Sequence, residues 1–246
     1  MIYIKKWLEN YAELFPIADS QVEFFTKIAK DFNSPVKFVS LECGTAALAQ
    51  ELLMNSFDVT ATDSFKEFID LLKIKSSNRE PKIKAFNLYP QDIGRYLGKN
   101  FYNIIYLGDY RVVFMRDKIY ISKLMMDAKA LLSDGGYLIF DLINFSKFDF
   151  SKDEIQLPEK KSTRATLRSW ITKDKENVTY LLHQQVETSN GKTIDEVKDE
   201  PVTPISMESF KKFAKELEFS SLEFYSDYKM NPLTPDSEKI VCVLKK

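Results

Sequence analysis

Short apolar runs alternate with stretches of helical periodicity along most of the chain. Residues 2–32 place Trp7, Leu8, Tyr11 and Leu14, then Val22, Phe24, Phe25, Ile28, Ala29 and Phe32, at intervals that suit amphipathic helices on either side of Pro16, the second capped by Asp19 or Ser20. From Val36 the period shortens. Lys37 to Leu41 predicts a strand, Ala46 to Met54 a helix, Phe57 to Thr62 a strand and Phe65 to Lys75 a helix. Further strands are expected at Ile83 to Phe86, Phe101 to Leu107 and Tyr137 to Leu142, with a helix from Lys118 to Leu132 before the last. Such alternation implies right-handed crossovers and a mostly parallel sheet covered on both faces, a doubly wound α/β fold.

After Asn144 the period changes again. Thr163 to Ile171 and Val178 to Thr188 alternate around Asp174-Lys175-Glu176-Asn177, and Asn190-Gly191 marks another tight turn, so an antiparallel meander is expected. A helix over Ser206 to Leu217 and strands at Ser221 to Tyr225 and Lys239 to Leu244 close the chain. The expected organisation is an N-terminal helical lid (1–34), an α/β domain (35–150 with 204–246) and an inserted antiparallel β cap (151–203).

Composition narrows the function. The 35 basic and 36 acidic side chains nearly cancel, which gives no field to draw in nucleic acid or an anionic membrane and favours a small-molecule substrate. No apolar run approaches the roughly 20 residues that span a bilayer. One histidine and two distant cysteines, Cys43 and Cys242, make neither a disulfide scaffold nor a transition-metal cluster, and the expected compartment is the cytoplasm.

In doubly wound sheets ligands bind beyond the carboxyl ends of the strands, where the first loop brings backbone N–H groups close to the ligand. That loop is Ser40-Leu41-Glu42-Cys43-Gly44-Thr45-Ala46-Ala47-Leu48. The second strand leads to Asp63, an acid placed to accept two hydrogen bonds from a ribose diol; Asp63-Ser64 also suits a helix N-cap. Gly44 offers close approach to a ligand or simply a turn.

These residues resemble the class I S-adenosylmethionine-dependent methyltransferases, whose first motif runs strand, acid, x-Gly-x-Gly-x-Gly, helix. Val36 to Ala49 carries the resemblance, with Asp63 at the family's spacing. Further landmarks are Phe86-Asn87-Leu88, Tyr102 to Gly108, Leu131-Leu132-Ser133-Asp134-Gly135-Gly136-Tyr137-Leu138-Ile139-Phe140, and the closing Leu233 to Val241, similar to the final antiparallel hairpin of the small-molecule members. The resemblance implies a Rossmann-like sheet of seven strands. It also implies S-adenosylmethionine held by Tyr11, Gly44, Thr45, Asp63, Ser64, Asn87, Leu88 and Leu107. Ser40 stands where the family has its acid, Glu42 where it has the first glycine and Ala46 where it has the third. Glu42 has two openings, toward the methionine ammonium or outward into solvent.

Each residue has a plainer reading too. Tyr11 suits a lid over the cofactor or ordinary helix packing; Asn87 and Leu88 suit the adenine edge and face or a loop. Leu107 and Gly108-Asp109-Tyr110-Arg111 suit the methyl-transfer pocket, or a core leucine and a solvated loop. His183 in the cap suits a structural role better than a base. Trp170 and the segment from Phe145 to Phe150 suit a seam between cap and sheet better than a substrate pocket, and Cys43 lacks a neighbouring base. The expected function is methyl transfer to a small molecule, mainly by positioning, with no catalytic residue singled out; the alternative is a catalytically silent binding or scaffolding protein of the same fold. A nicotinamide enzyme is disfavoured, because the loop lacks the dinucleotide glycine pattern.

Overall fold

The computed structural model describes residues 11–76, 82–174 and 179–246. Residues 2–10 of the expected first helix, most of the turn after Asp174, and Val178 lie outside them. Residues 11–14 are helical. Helix α1 (Asp19–Ala29) buries Phe24, Phe25 and Ile28 along one stripe. It starts one residue earlier than the expected cap: Ala18 occupies the N-cap and donates its N–H to the Gln21 side chain at 3.0 Å, while Asp19 sits in the first turn, facing the positive end of the helix.

From there strands and helices alternate as β1 (Lys37–Leu41), α2 (Ala47–Met54), β2 (Asp58–Asp63), α3 (Lys66–Ser76), β3 (Lys84–Asn87), a short α4 (Ile93–Tyr96), β4 (Tyr102–Leu107), α5 (Lys118–Leu131) and β5 (Leu132–Ile143). The cap strands are β6 (Glu154–Gln156), β7 (Lys160–Lys161), β8 (Ala165–Lys173), β9 (Tyr180–Thr188) and β10 (Thr193–Val202). Helix α6 (Met207–Glu216), capped by the Ser206 hydroxyl on Ser209 N–H, leads to β11 (Ser221–Tyr225) and β12 (Lys239–Lys245).

One sheet of seven strands runs β11-β12-β5-β4-β1-β2-β3, parallel from β5 to β3 and antiparallel at β12 and β11. The period of two along the central strands divides the core. Phe38, Ile104 and Tyr106 point to the layer containing Phe24, Phe25 and Leu52, whereas Val39, Leu41, Ile105 and Leu107 point to the layer with Leu124, Met125 and Phe210. Each large apolar side chain buried in this way contributes about 1.5–3 kcal/mol. A second sheet runs β10-β9-β8-β6, with β7 beside β8, and every pairing in it is antiparallel. Its inner face carries Leu167, Ile171, Leu182 and Val186. Trp170 and His183 lie on the other face, stacked at 5.3 Å.

Between the two sheets passes the strap formed by residues 11–15. Leu14 and Phe15 pack on Ala165, Leu167 and Val186 of the cap, Glu13 pairs with Arg164, and the Lys160 ammonium lies 3.7 Å from the Phe15 ring centre. No helix among the described residues is long and apolar enough to cross a membrane.

Candidate functional site

The loop after β1, an interior strand of the large sheet between β4 and β2, has an unusual backbone. Glu42, Gly44 and Ala46 all lie in the left-handed region, at φ of 48°, 55° and 56°. For residues with a Cβ this costs on the order of 1 kcal/mol each, and such strain persists only where its surroundings hold it. Here the holding is visible. Cys43 N–H donates to Thr62 O at 2.9 Å, Gly44 N–H to Asp63 Oδ2 at 2.8 Å, and Ala46 N–H to Cys43 O at 2.8 Å.

Asp63 is therefore part of the loop's framework. It is 0% exposed, and its other oxygen accepts the Phe65 N–H at 2.8 Å at the start of α3. Burial raises its carboxyl above the ordinary range, opposed by the Arg111 guanidinium and by the two backbone donors. Asn87 supports the same corner, its amide donating to Asp63 O at 2.8 Å and Ser64 O at 3.0 Å, and Leu88 N–H reaches Asp63 O at 3.1 Å. Leu107 is inside the core.

Glu42 takes neither expected path. Its carboxylate crosses to the end of β2 and accepts the Ser64 N–H at 3.1 Å and the Ser64 hydroxyl at 2.9 Å. Burial, then the charge of Asp63, pushes its carboxyl up to about 7, against the pull of Arg111. Burial also works against the charge on Arg111, but Tyr11, Asp63 and Glu42 around it hold it firmly protonated. Arg111 owes its place to another strained turn, Asp109 and Tyr110 at φ of 51° and 60°, directly after Gly108. A Cβ at Gly108 would stand 2.1 Å from the Tyr106 hydroxyl, which is bonded to Tyr228 at 2.8 Å, so only glycine fits there.

Two spaces border this loop, and a third lies beside them beyond Asp109 and Arg111. The largest, about 590 Å³, lies beyond β2 and β3 and is lined by Glu42, Ser64, Phe65, Phe68, Tyr89, Pro90, Gln91, Arg111 and cap residues including Gln184. The smallest, about 40 Å³, lies against Ser40, Thr45 and Ala46, and is closed by Tyr11. Tyr11 is 2% exposed; its ring sits where a Gly44 side chain would go, 2.6 Å from the Cβ position, and its hydroxyl donates to Asp109 Oδ2 at 2.6 Å. The third, about 220 Å³, lies between cap and large sheet and is walled by apolar residues such as Val113, Ile143, Phe145, Leu167, Ile171 and Leu182. Asp109 lines both the second and the third space. Gln184, 8% exposed, gives Nε2 to Ser169 Oγ at 3.1 Å, while its Oε1 is buried without a partner among the described residues.

Tyr11, Thr45 and Ser64, all expected at the site, do line these spaces, as does Glu42; Asp63 and Asn87 brace them from behind. The walls at Phe68, Tyr89, Gln91 and Gln184 had no sequence signal, because nothing local marks a residue that only the fold brings inward. His183, bonded through Nε2 to Thr172 Oγ1 at 2.8 Å, and Trp170 line none of the three. Cys43 keeps its thiol protonated, since burial and then the charges of Asp63 and Glu42 push it up.

No protein-family model matches the chain, and no curated protein matches it in sequence. Solved structures do match in shape. The methyltransferase CcbJ from Streptomyces caelestis superposes with a TM-score of 0.76 at 15% identity, over 97% of this chain and 95% of that one. An S-adenosylmethionine-dependent methyltransferase from Clostridium acetobutylicum gives 0.75 at 15% identity, over 98% of each chain. CalS10, an amino pentose methyltransferase from Micromonospora echinaspora with its cofactor bound, gives 0.68 at 10% identity, over 97% and 96%. Strand order and superposition over nearly the whole chain establish that this chain has the fold of the class I, S-adenosylmethionine-dependent small-molecule methyltransferases.

Proposed function

We propose that the protein transfers a methyl group from S-adenosylmethionine to a small polar molecule. The observation that carries this reading is the loop after β1, which keeps left-handed backbone at Glu42, Gly44 and Ala46 although two of the three are not glycine. Such strain persists only where its surroundings hold it, and here Thr62, Asp63 and Cys43 hold it at the carboxyl end of the parallel strands, where ligands bind in this kind of sheet.

The residues fit the nucleoside half of the cofactor. The large space is open, and Phe65, Tyr89 and Pro90 offer flat apolar surface to a base. The methionine half fits between Thr45 and Asp109 once the Tyr11 ring leaves Gly44, after which Tyr11 can cover the bound group as a lid. When bound, the sulfonium supplies an already activated methyl group, so the chain's own contribution is to orient the acceptor, exclude water and take a proton where the acceptor carries one.

The acceptor's place in this reading is the space under the cap. Asp109, at the junction of that space with the methionine end, is the base that would take the acceptor's proton, and Gln184 Oε1 awaits a donor from it. Among the neighbours, CalS10 is an amino pentose methyltransferase and KedS8 a sugar N-methyltransferase, which makes a hydroxylated amine the first acceptor class to try.

One feature favours a silent binding protein instead: Tyr11 fills the methionine end and is anchored at Asp109. Calorimetry with S-adenosylmethionine and S-adenosylhomocysteine separates the two. Binding of either below millimolar concentration, with label transferred from the methyl-labelled cofactor to an amine acceptor panel, supports the enzyme. Binding without transfer to any acceptor supports the silent protein, and absence of binding removes the cofactor altogether.

A further inference from the structure

Two acids stand at the corner where β1 and β2 end, and they are not equivalent. Asp63 is fully buried, and each of its oxygens already holds a backbone N–H, one from Gly44 and one from Phe65, both at 2.8 Å. Drawing it toward a ligand would release the turn at Gly44 and the start of α3. Glu42 faces the large space. Each of its oxygens accepts one hydrogen bond from Ser64, which fixes the plane of the carboxylate and leaves one lone pair on each oxygen.

We propose that Glu42, rather than Asp63, receives the ribose diol of the nucleoside bound in the large space. The proposal rests on the cofactor reading above and sharpens it. A glutamate at a left-handed position is then a change of ligand rather than a defect. The backbone keeps the shape a glycine would give, and the side chain crosses to Ser64 and presents two oxygens to a 2′,3′-diol. Asp63 becomes a positioning residue that holds Gly44 and Phe65 while Ser64 orients Glu42. Arg111 lies close enough to both acids for its charge to lower each carboxyl, which limits their mutual repulsion.

The test is calorimetry of the full chain with S-adenosylhomocysteine, adenosine and 2′,3′-dideoxyadenosine, beside thermal melts of the same samples. At a pH above about 7, where Glu42 is ionised, wild type should prefer adenosine over the dideoxy nucleoside by at least about tenfold, the worth of one or two charge-assisted hydrogen bonds. Glu42→Gly should lose that preference while melting no lower than wild type, because glycine accepts the φ of 48° without strain. Glu42→Gln, which keeps the bulk, should reduce the preference. Asp63→Asn should melt lower yet keep it. A preference retained in Glu42→Gly, or lost in Asp63→Asn at unchanged melting temperature, overturns the proposal and leaves the cofactor reading standing. A wild type that binds S-adenosylhomocysteine without distinguishing the two nucleosides does the same. A wild type that binds none of the three overturns both.

Discussion

The nucleoside and methionine ends of the site share one loop and differ in what fills them. On the nucleoside side, strand ends, the Glu42 carboxylate and the edge of the cap leave about 590 Å³. On the methionine side, only about 40 Å³ remains, because Tyr11 lies on Gly44, and the strap that carries it is fixed to the cap through Leu14, Phe15 and the Glu13–Arg164 pair. The first space lies between the strand ends of the large sheet and the cap. The second is decided by a segment that arrives from outside the sheet and is tied to the turn after β4 through the Tyr11 hydroxyl on Asp109. Nucleoside affinity should therefore be indifferent to the strap, and methionine affinity and methyl transfer should depend on it.

The largest effect expected from separating the two ends is at Asp109. Asp109→Asn should slow transfer to a protonated acceptor by about 10²–10⁴-fold, the range for a lost general base. Adenosine affinity should not change, and a parallel loss of adenosine affinity would merge the two ends into one unit. Gly44→Ala comes next. The added methyl lies 2.6 Å from the Tyr11 ring on a backbone at φ 55°, so a loss of about 1–3 kcal/mol is expected in chemical denaturation. Tyr11→Phe removes the hydrogen bond to the Asp109 carboxylate, worth about 1.5–3 kcal/mol, so S-adenosylhomocysteine should bind roughly tenfold tighter or more if that bond holds the methionine end closed. Adenosine is the control, and unchanged affinity for both would show that the hydroxyl is not the latch.

The smallest expected effect is on pH. Burial raises Glu42 to about 7 and Asp141 to about 6, from ordinary values of 4.5 and 3.8. Both acids are then protonated in the folded chain at pH values where the unfolded chain has already released the proton. Stability should therefore fall as pH rises from about 4 to about 7, the reverse of the usual salt-bridged carboxylate. Melting temperature against pH would show this slope, and Glu42→Gln should flatten its upper part. A slope unaltered by that substitution would place the titration elsewhere.

How legible this was in the sequence depended on how local the cause was. The core strands β1 and β4 were plain because both their faces are buried and their residues read as unbroken apolar runs. The left-handed loop was legible only as a spacing, Glu42, Gly44 and Ala46 at every second residue, since two of the three are not glycine. Strand β10 (Thr193–Val202) was foreshadowed only by the turn at Asn190-Gly191, and its bounds were not legible. It is a charged edge strand ending near Pro201, and such edges lack the alternation that marks a half-buried strand. Strand β5 begins five residues earlier than expected, at Leu132, because Gly135 at φ 71° and a register shift after Tyr102 carry the pairing past the Gly-Gly step. Glu42 was visible as an anomaly, but its direction depends on Ser64, which is distant in sequence and adjacent only after β1 and β2 pair.

The run of left-handed residues at 42, 44 and 46 has a consequence for finding proteins of this kind. Searches that score residue identity penalise every departure from glycine in the loop, so a chain can drift out of reach of family profiles while its main chain hardly moves. A search keyed to backbone torsion, asking for positive φ at alternate positions after a central parallel strand, would ignore the spelling. It would gather the cases in which the side chain gained at the first position has been put to use.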